Sequence, residues 1–294
     1  MYDKQALMTL VRYHRYVGIL KFLALALLAY VATALIVAEP WGQILSSTVV
    51  PRLQWTSSYW YVIVGILGTT ISPYMFFWQA SEEVEELEYA DATGTARRSI
   101  KTIRTDNAVG MVVSQLGSWF MMITTATVLH AHGVINISTA AEAARALQPL
   151  VRTFPNSGEL AKVVFAVGVI GMGLLGIPVL AGSASYALTE LLGWREGYGN
   201  RIRDARGFYG IIVLATLVGL GLTLLGVSPI KALIFAAVVN GVVAVPLVWL
   251  IHHIAKRPDI MGEFTSGRLS RSVLLITFTV MAVCALVMFI SLSS

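Results

Sequence analysis

The sequence predicts an all-α membrane protein with seven transmembrane helices, one of them broken. Three observations carry this. Of 294 residues, 56% are hydrophobic and 13% are charged, against roughly 25% charged in a soluble domain. Apolar stretches recur that are long enough to cross a hydrocarbon core of about 30 Å at about 1.5 Å per residue. Lysines and arginines alternate between successive connections. The spans lie at about 18–37, 59–79, 108–129, 161–190, 208–226, 230–251 and 272–291, within a single transmembrane domain over residues 1–294.

Basic residues orient the spans, because cytoplasmic connections carry the excess of lysine and arginine. Lys4, Arg12, Arg15 and Lys21 precede or enter the first span. Arg97, Arg98, Lys101 and Arg104 lie between the second and third. Arg195, Arg201, Arg203 and Arg206 follow the fourth, and Lys256, Arg257, Arg268 and Arg271 follow the sixth. The opposite side holds only Arg52, Arg145, Arg152, Lys162 and Lys231. The N-terminus is therefore expected in the cytoplasm and the C-terminus outside. Because the basic residues flank apolar spans, the net charge of +5 does not point to nucleic acid. Cys284, the single cysteine, provides neither a disulfide framework nor a paired-cysteine metal site. Met1–Leu10 lacks the apolar region of a cleaved leader.

The first span is rich in leucine and alanine. The outer connection after it holds Trp41, Trp55, Tyr59, Trp60 and Tyr61, which suit an interfacial aromatic belt. In the second span, Gly68-Thr69-Thr70-Ile71-Ser72-Pro73 is a poor helix: Pro73 lacks an N–H and clashes with the Thr69 carbonyl. Backbone carbonyls freed at this depth are tolerated only where protein or a water-filled cavity satisfies them. Broken helices of this kind form substrate and ion sites in transporters; a proline kink without a ligand is the alternative. Ser81–Glu88 reads as a solvated acidic extension, or as a funnel attracting cations. Residues 90–107 read as a short basic helix or loop along the membrane surface, with Asp106 or Asn107 as N-cap of the third span.

In the third span Gln115 is expected to bond between helices. His130 and His132 lack a third metal ligand nearby, and 138–147 reads as a short interfacial helix. Gly168, Gly171, Gly173, Gly176, Pro178, Gly182, Ser183 and Ser185 make the fourth span a packing helix. Asn240, a strongly polar side chain inside the sixth span, is a functional candidate or an interhelix crosslink. His252 and His253 mark the inner interface. No zinc-protease, nucleophile-elbow or phosphate-loop motif occurs, so no enzyme and no cofactor are expected. With no acidic residue near the centre of a span, any cation would be held mostly by neutral oxygens.

Tyr16-Val17-Gly18-Ile19-Leu20-Lys21 together with Gly68-Thr69-Thr70-Ile71-Ser72-Pro73-Tyr74-Met75-Phe76-Phe77-Trp78-Gln79 resembles the Nramp family of divalent metal transporters. Within that family it is most similar to the bacterial Nramp-related branch with a GTTISPY-type broken helix. The resemblance continues through Asp106–Met111 and Gly176–Ser183 and covers essentially the whole chain. It implies the inverted-repeat fold shared with sodium-coupled amino-acid transporters, with the seven spans here as helices 5–11 and the broken span as helix six. The first four helices of the family, including an Asp-Pro-Gly-Asn motif that supplies metal ligands, have no counterpart in this sequence. The chain is thus expected to be a truncated or partial carrier whose missing first-repeat helices lie in the same gene or another chain.

The resemblance also assigns roles. The Thr69 carbonyl and Ser72 side chain would be metal ligands, with Pro73 and Gly68 as the hinge and Tyr74 and Gln79 beside the ligands or along the pathway; Asn240, singled out by its polarity inside a span, would act beside them through water. The family's Met-Pro-His pattern is here Ser72-Pro73-Tyr74. Serine oxygen is a hard ligand where methionine sulfur is soft, which brings magnesium within reach beside manganese and iron. Protons are the family's coupling partner, but its titratable histidine aligns with Gln79, which cannot titrate. The implied function is alternating-access transport of a divalent metal ion in the bacterial inner (plasma) membrane, with the metal ion and the lipid bilayer as partners. The alternatives are a non-transporting membrane scaffold or half of a split carrier, and an organic-solute carrier of the same fold.

Overall fold

A computed structural model describes residues 27–36, 41–50, 53–89, 96–134, 137–150, 153 and 155–293. The Tyr16–Lys21 motif, most of the first expected span and the basic residues ahead of it lie outside them. The described residues are helical and contain no strand. Among them, six helical segments are long and apolar enough to cross a membrane. The chain falls into two compact units.

One unit comprises Met1–Val50 and Phe77–Gly226. Its helices are α1 (Leu27–Ile36), α2 (Trp41–Val49), most of α4 (Pro73–Tyr89), α5 (Ala96–Thr124), α6 (Ala140–Leu150), α7 (Ser157–Leu192) and α8 (Arg206–Leu224). α5 continues as a π-helical turn, Thr125–Leu129, and a 3-10 turn, His130–His132. α7 has 36 residues, about 54 Å at the α-helical rise, and so exceeds one perpendicular crossing. It packs on α1, α6 and α8. Val128, Leu129, Ala143, Ala144, Ala161 and Phe165 close one core of this unit; Tyr186, Ala205 and Phe208 close another.

The other unit comprises Pro51–Phe76 and Val227–Ser294, with α3 (Ser57–Thr70), the start of α4, α9 (Pro229–Ile254), α10 (Pro258–Met261) and α11 (Arg268–Ser293). α3, α9 and α11 pack pairwise on one another, around Trp60, Val64, Val238 and Met288. α4 begins in this unit and continues into the first.

Several elements differ from the sequence expectations. α2 is a helix where an aromatic connection was expected; Ile44 is buried and the Trp119 indole donates to Thr48 Oγ1 at 3.2 Å. Residues 96–107 are not a separate surface segment. They are the first turns of α5, so Asp106 and Asn107 sit inside a helix and cap nothing. The helix overrides the expected boundary because 96–107 holds neither proline nor glycine to stop it. The acidic stretch continues α4 without a stop. Within it Glu82 is buried (8% exposed), contrary to a solvated position, while Val84 is exposed. At α6 the expected short helix has a capping box: Glu142 Oε2 accepts from the Thr139 N–H at 3.3 Å and from the Ser138 N–H at 2.7 Å, and Glu142 N–H donates to Thr139 Oγ1 at 3.2 Å.

Apolar side chains face outward along most of these helices. Phe208 is the buried residue of α8, while Val213, Leu214, Leu217 and Leu220 are exposed. In water such a surface would mark an interface; with long apolar helices it is the surface of an integral membrane protein, whose helices are held by close packing and not by removal of apolar surface from water.

Candidate functional site

The break in the second span follows from Pro73. α3 ends at Thr70; Ile71 leaves helical geometry (φ −116°, ψ 81°), and its N–H still reaches Leu67 O at 2.8 Å. Pro73 then takes the first position of α4, where its missing N–H is no loss and its fixed φ suits the helix start. Met75 N–H closes that turn on Ser72 O at 3.0 Å. With no N–H at residue 73, the Thr69 carbonyl has lost its helical partner.

The Ser72 hydroxyl fills this gap. Its Oγ lies 3.2 Å from Gly68 O and 3.1 Å from Thr69 O, and Ser72 is buried. A hydroxyl has one proton to give, so two carbonyls share one donor. Three oxygens thus meet with more lone pairs than hydrogens. This cluster is at the C-terminal end of α3, where the helix dipole favours positive charge. Thr69 and Thr70 are exposed, and their own hydroxyls are turned back onto Ile66 O at 2.8 and 2.9 Å.

Gly68 is held by packing. A Cβ on Gly68 would fall on the Ala237 carbonyl and the Gly241 amide of α9, and one on Gly241 would fall on Val64 of α3. Backbone therefore meets backbone at this crossing, which fixes the end of α3 beside α9. Asn240 precedes Gly241 on α9; its side chain is half-buried and hydrogen-bonds to no described residue. Pro73 is buried and Tyr74 half-buried.

Gln79 lies in the first unit, on α4. Its Nε2 donates to Asn107 Oδ1 of α5 at 2.5 Å. The sequence offered Asn107 as a candidate N-cap; its role as partner of Gln79 needed α5 to begin before it. Next to Gln79, Trp78 packs against the buried cluster of Tyr186, Ala205 and Phe208. Gln115 is exposed. His132 Nδ1 is engaged by Val128 O at 2.7 Å. Among the described residues, no three or more His, Cys, Asp or Glu side chains group to hold a metal. A cation at the break would be held by neutral hard oxygens, which suit magnesium and manganese better than soft ions.

The segment between α7 and α8 is built around aromatic rings and one carboxyl. The Tyr198 hydroxyl donates to Pro178 O at 2.7 Å, lying where a Cβ on Gly182 would stand. Thr189 Oγ1 is 2.8 Å from Glu196 Oε2. Burial pushes the Glu196 carboxyl above its ordinary range; the Thr189 hydrogen bond works against this and Glu190 adds to it.

Against known proteins, the family model described as natural resistance-associated macrophage protein-like (Nramp) matches residues 3–291. A protein called divalent metal cation transporter MntH, from Clostridium acetobutylicum, is 25% identical over 248 residues, covering 83% of this chain and 52% of that relative. The chain thus spans about half the length of the curated relative it matches.

Proposed function

Because the chain belongs to the Nramp family, we propose that it is part of a secondary transporter of divalent metal ions working by alternating access in a bacterial inner membrane. The name of the relative, a divalent metal cation transporter, supports the substrate class. In this reading the spans are helices 5–11 of the inverted-repeat fold, oriented with the N-terminus inside and the C-terminus outside. α3 and α4 are then the two halves of helix six.

The observation that carries the reading is the break itself: two carbonyls, Gly68 O and Thr69 O, share the single proton of Ser72. An incoming cation would take Thr69 O and Ser72 Oγ as ligands. The hydroxyl proton would then turn wholly to Gly68 O, leaving the Ser72 lone pairs to the metal. The set favours magnesium or manganese, with iron as the third candidate. Gln79, bonded to Asn107, holds α4 on α5 without exchanging a proton, so proton coupling would need another group. The remaining ligands are assigned to first-repeat helices, in the same gene or in another chain, and Asn240 acts through water.

The test is uptake of manganese and magnesium into proteoliposomes by the natural carrier containing this chain. Losing one hydrogen-bonding contact to a charge is worth about 1.5–3 kcal/mol, so Ser72→Ala is expected to weaken metal affinity roughly tenfold to hundredfold. Unchanged flux and affinity for both metals in Ser72→Ala and Thr69→Pro would overturn the site. Equal binding of an amino acid would favour an organic-solute carrier instead.

A further inference from the structure

In the second unit a cavity of about 430 Å³ opens between the starts of α3 and α9 and the end of α11. Ser57, Ser58, Tyr61 and Lys231 supply its polar lining, and Ile234 and Leu292 belong to its apolar wall. Among the described residues, no carboxylate lines it. Lys231 is exposed and pairs with no acidic side chain among the described residues.

Positive groups outnumber negative ones at the cavity. Ser57 and Ser58 are the first residues of α3, where helix N–H groups have no partner within the helix. Lys231 stands in the first turn of α9, behind Pro229. Two positive helix ends and an ammonium therefore meet at this cavity. The opposing negative end belongs to α11, where Ser293 Oγ donates to the Ile290 carbonyl at 2.8 Å.

Its depth is marked by aromatic rings. Trp55, Tyr59 and Trp60 surround the start of α3, with Trp55 and Trp60 rings 5.6 Å apart and Tyr59 and Trp60 rings 5.8 Å apart. Such rings sit at headgroup level in a bilayer. Ile234 and Leu292 remain 41% and 55% exposed, an open apolar wall beside the cationic one.

We propose that this cavity is a binding site for an anionic phospholipid. The phosphate ester sits against Lys231 and the Ser57 and Ser58 hydroxyls, and the first acyl carbons lie on Ile234 and Leu292. The shared chemistry is a phosphate anion. The apolar wall selects the lipid over free phosphate, because a soluble anion gains nothing from Ile234 and Leu292.

Native mass spectrometry of the purified carrier, with added dioleoylphosphatidylglycerol, dioleoylglycerol or inorganic phosphate, tests this. Phosphatidylglycerol should be retained and dioleoylglycerol should not, and inorganic phosphate should not displace the lipid. Lys231→Ala should lower lipid occupancy about fivefold, with Lys231→Arg restoring it. Ile234→Trp, which fills the apolar wall and keeps the charge, should lower it as well. Circular dichroism should show all three variants folded. Wild-type occupancy in both Lys231→Ala and Ile234→Trp would overturn the proposal, as would equal retention of dioleoylglycerol. Displacement by inorganic phosphate would make it a free-anion site and overturn the lipid assignment.

Discussion

Ser72 and Glu196 both ask where one proton goes. At Ser72 the hydroxyl proton is shared by Gly68 O and Thr69 O. At Glu196 the Thr189 hydroxyl faces Ser185 O at 2.7 Å as well as the carboxylate. One proton cannot satisfy both acceptors. The Thr189 bond to the carboxylate favours the charged form, and burial outweighs it. The folded-state carboxyl is raised by burial above its unfolded value. The folded form therefore holds the proton to higher pH, and its stability contribution is lost as pH rises through that window. Glu196→Gln should flatten this dependence and raise the thermal midpoint at neutral pH, as read by unfolding scans above the ordinary carboxylate range. Gly68 has a different constraint, since a methyl there meets the α9 backbone. Gly68→Ala is expected to destabilise by about 1–3 kcal/mol. Gly176→Ala, where a Cβ meets nothing within 4 Å, should be neutral or stabilising by about 0.5–1 kcal/mol; paired thermal midpoints check both.

Among elements, the broken helix and α7 show two fates of a membrane proline. Pro178 stays inside a 36-residue helix, and the Tyr198 hydroxyl bonds the backbone beside it. Pro73 instead ends one helix and starts another, because β-branched Thr69, Thr70 and Ile71 precede it and Ser72 caps the carbonyls it releases. Pro73→Ala would return an N–H within reach of Thr69 O and allow α3 to run on into α4. Thermal stability is expected to hold or rise while metal uptake falls, so stability and uptake measured on one preparation separate a functional break from a structural kink. The break was legible in the sequence because proline lacks its N–H in any fold. The Gln79–Asn107 bond was not, since it depends on two helices meeting.

For the whole molecule, orientation is the property most open to a direct test. If basic residues set it, a phosphatase active only outside the cytoplasm should work when fused after Ser293 and fail when fused after Lys256. The reverse pattern would invert the topology. Hydrophobicity and length located the spans because a bilayer demands about 20 apolar residues from any helix that crosses it. Helix ends were less legible: α5 begins well before its apolar part, since hydrogen bonding continues a helix past the membrane boundary wherever nothing stops it.

The sequence by itself determined the membrane class, the six apolar spans that the described residues contain, the position of the break at Pro73 and the family. The first three rest on composition or on local covalent chemistry, and the family on the order of residues in a few short motifs. Only the tertiary structure decided that Gly68 is clamped on Ala237 and Gly241, that Gln79 pairs with Asn107, that Glu82 is buried, and that Ser57, Ser58 and Lys231 line one cavity. Each of these needs residues far apart in the chain to meet, and apolar patterning does not encode which helix faces which when lipid and protein interior are equally apolar. The break that proline writes into one helix thus acquires its neighbours from the packing of the others.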